Sequence, residues 1–140
     1  MHSHTYAGNP LAASAAVEVL KMMEDGKILK QANENAIYFN DLIRKTFANN
    51  SNVGEVRNIG LVNAIEIVED KESKKSFPSK LRIGYQIYKL ALTKGVLLRP
   101  LGDVIYFNPP LIFERKDMDY VVKIAHECMC EVLSKYSNNV

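Results

Sequence analysis

Gly95-Val96-Leu97-Leu98-Arg99-Pro100-Leu101-Gly102-Asp103-Val104-Ile105-Tyr106-Phe107-Asn108-Pro109-Pro110 carries its own punctuation. Gly95 stands where a helix ends, in the position past the last turn that favours a residue without Cβ. Val96 to Leu98 and Val104 to Phe107 read as two short strands around Leu101-Gly102-Asp103. Pro100 keeps the backbone of Arg99 extended. Pro109-Pro110 then stops the second strand. Taken together, the stretch reads as one wall of a ligand site: an arginine held beside a strand, a tight turn, and an apolar strand closed by prolines.

Working upstream, Ser79 to about Lys94 has a helical pattern with Leu81, Tyr85, Tyr88 and Leu92 on one face. Residues 69 to 78 form a charged loop in which Lys71-Glu72-Ser73-Lys74-Lys75 is expected to be solvated. Val56 to Val68 reads as a strand. Leu61, Asn63, Ile65 and Ile67 share one side, and Val62, Ala64, Glu66 and Val68 share the other. Both sides are largely apolar, which predicts a strand interior to a sheet. Gly60 marks a bulge or a close backbone approach.

The first half of the chain is helical. Asn9 is placed to cap a helix, and Pro10 sits where a missing N–H costs nothing. Leu11, Ala12, Ala15, Ala16, Val19, Leu20 and Met23 then form a stripe whose alanines predict close approach to another element. Asp25-Gly26 interrupts it. A second helix follows through Ile28, Ala32, Ala36, Phe39, Ile43 and Phe47. Downstream, a final helix from about Lys116 to Lys135 is expected to bury Met118, Val121, Val122, Ala125, Cys128, Met129 and Val132. The order helix, helix, strand, helix, strand, strand, helix predicts an α+β domain, a small sheet covered by helices. No glycine-rich phosphate loop marks a doubly wound nucleotide-binding unit.

Composition narrows the classes. The chain has 140 residues, 47% of them hydrophobic, which suffices for one domain with a core. A formal net charge of +2 with interspersed signs argues against a nucleic-acid surface. No apolar run is long enough to span a membrane. Cys128 and Cys130 lie two apart in the last helix and point to different sides, so a reduced, cytoplasmic protein is expected. Two such thiols do not make a zinc site.

Several residues could carry chemistry, and each has a plainer reading beside it. Thr5, four residues ahead of Asn9, either joins nearby backbone N–H groups in holding an anion or is a frayed polar residue. His2 and His4 lack the carboxylates or thiols that would complete a metal site, and no metal is expected. His126 falls near the buried stripe of the last helix and reads as a packing residue. Arg99 is either solvent-facing or committed to an anion, which its guanidinium grips with two parallel hydrogen bonds. Tyr106 either packs at the sheet or turns its hydroxyl to a polar ligand. Arg57 fits a surface salt bridge as well as a carboxylate pocket. Glu66, in mid-strand, requires an ion-pair partner.

Three segments resemble the class III, pyridoxal-phosphate-dependent aminotransferases. They are His2-Ser3-His4-Thr5-Tyr6-Ala7-Gly8-Asn9-Pro10-Leu11-Ala12, Val56-Arg57-Asn58-Ile59-Gly60-Leu61-Val62-Asn63-Ala64-Ile65-Glu66, and Leu98 through Pro110. The first two are similar to segments found across that class. The third is similar to its biotin-synthesis branch, which delivers an amino group from adenosylmethionine or lysine to 8-amino-7-oxononanoate.

The resemblance implies the C-terminal small domain of a fold type I transferase over residues 1–140. Residues 1–30 would be an interdomain segment and connecting helix. It implies that Thr5 holds the cofactor phosphate across a homodimer interface, that Arg99 binds the substrate carboxylate and that Tyr106 sits near the substrate. The Schiff-base lysine and the aspartate paired with the pyridine nitrogen lie upstream of the Thr5 segment in that family. This chain begins too late for either, so it is expected to hold no catalytic residue, to bind pyridoxal phosphate poorly alone, and to need a large domain as partner. A binding or oligomerisation domain derived from the same fold is the second reading left open.

Overall fold

The computed structural model describes residues 7–136. In chain order the elements are α1 (Pro10–Met23), α2 (Lys27–Phe47), β1 (Val53–Ile59), β2 (Val62–Ile67), α3 (Ile83–Thr93), β3 (Arg99–Leu101), β4 (Val104–Phe107) and α4 (Arg115–Leu133). The four strands form one sheet in the order β1-β2-β4-β3, with every neighbouring pair antiparallel. The α2 helix lies against β1 and β2, α3 lies against β3, and α4 packs on both helices. This is the expected α+β arrangement, a small sheet covered by helices.

Local signals set the helix ends. The Asn9 side chain accepts from the backbone N–H groups of Leu11 and Ala12, with Pro10 at the first helical position. Gly26 adopts φ +71 between α1 and α2. After α3, Gly95 takes φ +78; its N–H bonds to the Leu92 carbonyl, and the Val96 N–H bonds to that of Ala91. That is a Schellman closure, which satisfies two carbonyls the helix would otherwise leave open.

The core lies between the helices and one face of the sheet. Phe39, Ile43 and Phe47 of α2 meet Ile65, Ile105 and Phe107 of the strands and Met118, Cys128 and Met129 of α4. Each such side chain contributes about 1.5–3 kcal/mol by leaving water. Among the described residues, Asn35 and Asn63 are the two buried polar ones. Asn35 Nδ2 donates to the Phe113 carbonyl at 3.0 Å, and Asn63 Nδ2 donates to Asn40 Oδ1 at 2.7 Å.

Five expectations need correction. The Val56–Val68 strand is a hairpin: β1 and β2 pair antiparallel through Ile59↔Val62. Gly60, with φ +53, takes the positive-φ first loop position of a type II′ turn. Leu61, buried in the second loop position, hides the turn because it carries no polar turn signal. The bulge falls instead at Gly54, between Val53 and Glu55. Of the two hairpin strands only β2 is interior to the sheet, and the side shared by Leu61, Asn63, Ile65 and Ile67 is the one that faces the core.

The second correction concerns α3. It starts at Ile83, after a single 3-10 turn at Ser79–Leu81 and a left-handed Arg82. Its buried face is Ile83, Gly84, Ile87 and Ala91, whereas Tyr85 and Leu92 are exposed. Both stripes have helical spacing. The rotation is settled by Gly84, where a Cβ would stand 2.3 Å from the Gly102 carbonyl oxygen.

Third, Val96–Leu98 is not a strand. The Val96 N–H is committed to closing α3, and pairing with β4 begins only at Arg99↔Tyr106. Pro100 is tolerated in β3 because β3 is an edge strand.

Fourth, the α1 stripe has no buried residue, and Leu11 and Leu20 are 80% and 68% exposed. No described residue offers this stripe the packing partner that its alanines predicted. Fifth, Lys71 is not simply solvated. Its ammonium donates to the Ala48 carbonyl at the C-terminus of α2, where a cation is favoured.

Candidate functional site

The strand register arranges the sheet's side chains in rows. Arg57, Ala64, Tyr106 and Arg99 are successive cross-strand partners, so one row runs across β1, β2, β4 and β3. Directly opposed residues share a face with Cβ atoms about 5 Å apart. Arg99 and Tyr106 are therefore neighbours at one end of the row, and Arg57 stands at the other.

The two ends differ in their partners. Arg57 Nη1 lies 2.9 Å from Glu55 Oε2 and 3.6 Å from Glu66 Oε2. This is the surface salt bridge expected for Arg57 and the ion pair required by Glu66. Arg99 makes no ion pair or hydrogen bond through its side chain among the described residues, and it is exposed. Correcting the strand boundary changes its setting too: Arg99 opens β3 rather than ending a preceding strand.

Beside Arg99 lies a cavity of about 720 Å³, and Arg99 and Tyr106 both line it. That is within the usual range for small-molecule sites. Gly95–Pro100 forms one wall and Tyr106–Pro109 another, so the stretch read as a ligand wall encloses the cavity on two sides. Behind the cavity stands an aromatic cluster, with Phe39 and Phe107 buried in the core and Phe113 half-buried. Phe39 meets Phe107 and Phe113 edge-on, with ring centroids 5.8 and 6.3 Å apart. Asn35 holds the Phe113 carbonyl, and the Phe113 N–H bonds to the Pro110 carbonyl, which sets the loop after Pro110. The third wall comes from α4, through Asp117, Tyr120 and Val121. Tyr120 donates to the Lys94 carbonyl at 2.9 Å, tying that wall to the end of α3.

Sequence reading missed the α4 wall and Phe39, because no local spacing links residue 117 or 39 to residue 99. Only the Arg115-Lys116-Asp117 charge pattern before an apolar helix could have drawn notice. Thr5, His2 and His4 lie outside the described residues. His126 packs edge-on against Phe47 at 5.6 Å, as expected of a core-side histidine, with its Nε2 3.6 Å from Cys130 Sγ. Burial pushes the Cys128 thiol up, away from a nucleophilic thiolate. Among the described residues no group of three metal-ligating side chains occurs, and no helix is long and apolar enough to cross a membrane.

The cavity combines one unpaired guanidinium, which has paired donors of the kind a carboxylate accepts, the Tyr106 hydroxyl, and an apolar lining that includes Leu97, Pro109 and Phe113. The cavity does not fit pyridoxal phosphate by itself: no lysine is among its lining residues, and it presents a single guanidinium.

Comparison with known proteins gives the family. The model of "Aminotransferase class-III" matches residues 1–129. An uncharacterized aminotransferase of Sinorhizobium fredii is 37% identical over 96% of this chain and 29% of its own length. The putrescine–pyruvate aminotransferase of Pseudomonas aeruginosa is 27% identical over 91% of this chain and 28% of its own. The crystal structure of adenosylmethionine-8-amino-7-oxononanoate aminotransferase from Methanocaldococcus jannaschii superimposes with a TM-score of 0.85 at 35% identity, covering 93% of this chain and 30% of that one. The chain thus spans less than a third of the length of these relatives, and it belongs to the class-III aminotransferases, a pyridoxal-phosphate-dependent family.

Proposed function

We propose that this chain is the carboxylate-reading small domain of an aminotransferase that supplies the amino group of 8-amino-7-oxononanoate's diamino product in biotin synthesis, with adenosylmethionine or lysine as donor. One observation carries the reading. Arg99 and Tyr106 are direct cross-strand partners on the wall of a largely apolar cavity, and the guanidinium has no protein partner among the described residues. An acid with a hydrocarbon chain matches that combination: its carboxylate pairs with Arg99, its chain lies along Leu97, Pro109 and Phe113, and the Tyr106 hydroxyl faces the polar part. An amine without an acid group, such as putrescine, gives Arg99 nothing to bind.

Pyridoxal phosphate, when bound in the complete enzyme, supplies the electron sink for amino transfer. Thr5 would hold its phosphate across a cytoplasmic homodimer interface. Residues 1–30 would be the segment and helix that join residues 31–140 to a large cofactor-binding domain. The exposed apolar residues of α1 support that assignment, since a helix with this stripe requires a covering element. The same exposure supports the second reading, a binding or oligomerisation domain in which α1 meets another chain.

Calorimetric titration of the 140-residue chain with nonanoate and with 8-amino-7-oxononanoate tests the first reading. Arg99→Ala is expected to weaken both ligands by about tenfold, the loss of a charge-assisted pair, with an unchanged unfolding curve. Equal binding by both proteins overturns the clamp. Borohydride reduction after incubation with pyridoxal phosphate is expected to leave no single lysine of the chain modified. One uniquely modified lysine, with turnover, overturns the assignment of the chemistry elsewhere. Light scattering addresses the second reading, which requires a stable oligomer of the chain alone.

A further inference from the structure

Helix α3 starts without a cap of its own. Arg82, just before its first turn, is left-handed at φ 50 and its side chain makes no cap bond; no acidic residue lies in that turn. The Arg82 guanidinium stands instead over the Tyr85 ring, 4.1 Å from its centroid. The missing acceptor comes from nineteen positions away: Asp103 Oδ1 accepts from the Gly84 N–H at 2.9 Å. Through its backbone carbonyl, Asp103 also accepts from the Ile67 N–H of β2 at 3.0 Å. One residue thus ties the turn between β3 and β4 to a helix and to the neighbouring strand.

The short strand β3 depends on such a tie. It has three residues and pairs on one side only, with β4. Its central Pro100 stands against the start of α3, since a Cβ at Gly84 would lie 3.2 Å from Pro100 Cβ. Pro100 lines both the cavity beside Arg99 and a second cavity of about 500 Å³. Among the described residues, Asp103 lines the second cavity and not the first.

We infer that Asp103 is a positioning residue for the Arg99 clamp: it fixes the β3–β4 turn on α3 and so holds the strand that presents the guanidinium, without touching the ligand. The inference rests on the acid-binding reading of Arg99. A clamp that is in place for only part of the time binds more weakly in proportion to that fraction. If Asp103 only caps α3, it adds stability and leaves binding alone.

The test is titration of the 140-residue chain and its variants with nonanoate, under conditions where urea unfolding shows each to be folded. Asp103→Ala is expected to bind about threefold to fivefold more weakly, within the range of one net hydrogen bond. Asp103→Asn keeps a carbonyl oxygen for the Gly84 N–H and is expected to restore affinity to within about twofold. In the Arg99→Ala background, Asp103→Ala is expected to cause no further loss, because its effect passes through Arg99. Should Asp103→Ala fail to fold, Asp103→Glu replaces it; the charge stays, the acceptor moves by one methylene, and the same weakening is expected. Unchanged affinity with a lowered unfolding midpoint assigns Asp103 to α3 alone and overturns the inference, while the clamp stands. An added loss in the Arg99→Ala background, or no rescue by Asp103→Asn, overturns it as well. Absent nonanoate binding, or binding indifferent to Arg99→Ala, overturns the clamp and this inference with it.

Discussion

Arg57 and Arg99 end the same row of side chains on the same face of the sheet, yet one has carboxylate partners and the other has none among the described residues. The difference comes from what the neighbouring strands supply. Around Arg57, its own strand offers Glu55 and the adjacent strand offers Glu66. Around Arg99, the adjacent strand offers a phenol at Tyr106, while Pro100 and Leu101 follow in its own strand. An arginine among carboxylates is a structural ion pair. An arginine beside a phenol and a cavity has donors that no described residue takes. Residue type alone does not distinguish them; cross-strand register does.

The largest way to disturb the comparison acts through the backbone at the Arg99 end. A methyl group on residue 84 would collide with the Gly102 carbonyl oxygen, which is backbone and cannot swing aside. Gly84→Ala is expected to lower stability by about 2–3 kcal/mol, the scale of overpacking in a tight core. Urea unfolding measures the loss. Ligand titration of the folded fraction should also weaken, because the β3–β4 turn carries Arg99 and Tyr106. An unchanged midpoint would mean that α3 and the turn can separate at little cost.

A smaller disturbance acts on the cavity loop. Asn35→Ala removes the donor to the buried Phe113 carbonyl, and the expected cost is about 1–2 kcal/mol. Hydrogen exchange at residues 110–114 should rise while exchange in β1 and β2 stays as it was. Uniform change across the sheet would show that the loop is not held separately.

The smallest effect sharpens the contrast. Arg57→Ala breaks two exposed ion pairs and is expected to cost no more than about 0.5–1 kcal/mol. Nonanoate affinity should not change, whereas Arg99→Ala should lose affinity and keep stability. If both substitutions behave alike, the two ends of the row are equivalent and the distinction fails.

Much of this fold was legible because its signals are short-range. The Asn9 cap, the break at Gly26 and the Gly95 closure each depend on residues within a few positions of one another. The α2 and α4 stripes were also legible, with Ile28 and Val121 only half-buried, because each helix has one dominant apolar face. The α3 helix was misread for the opposite reason. It carries two apolar stripes, and only contact with Gly102, distant in sequence, selects Ile83, Ile87 and Ala91 for burial. The hairpin at Gly60-Leu61 was hidden because the apolar alternation runs on through a turn of two residues.

The candidate site divides along the same line. By itself the amino-acid order determined that Arg99 is held extended before Pro100, that Tyr106 follows in a short strand, and that these belong to a covered sheet. Each of those statements rests on backbone restriction or side-chain periodicity, which act locally. Only the tertiary structure decided that Arg99 and Tyr106 are neighbours, that Arg57 is taken by two carboxylates, and that Asp117 lines the same cavity. Strand register and helix packing bring these groups together, and both are settled by long-range burial.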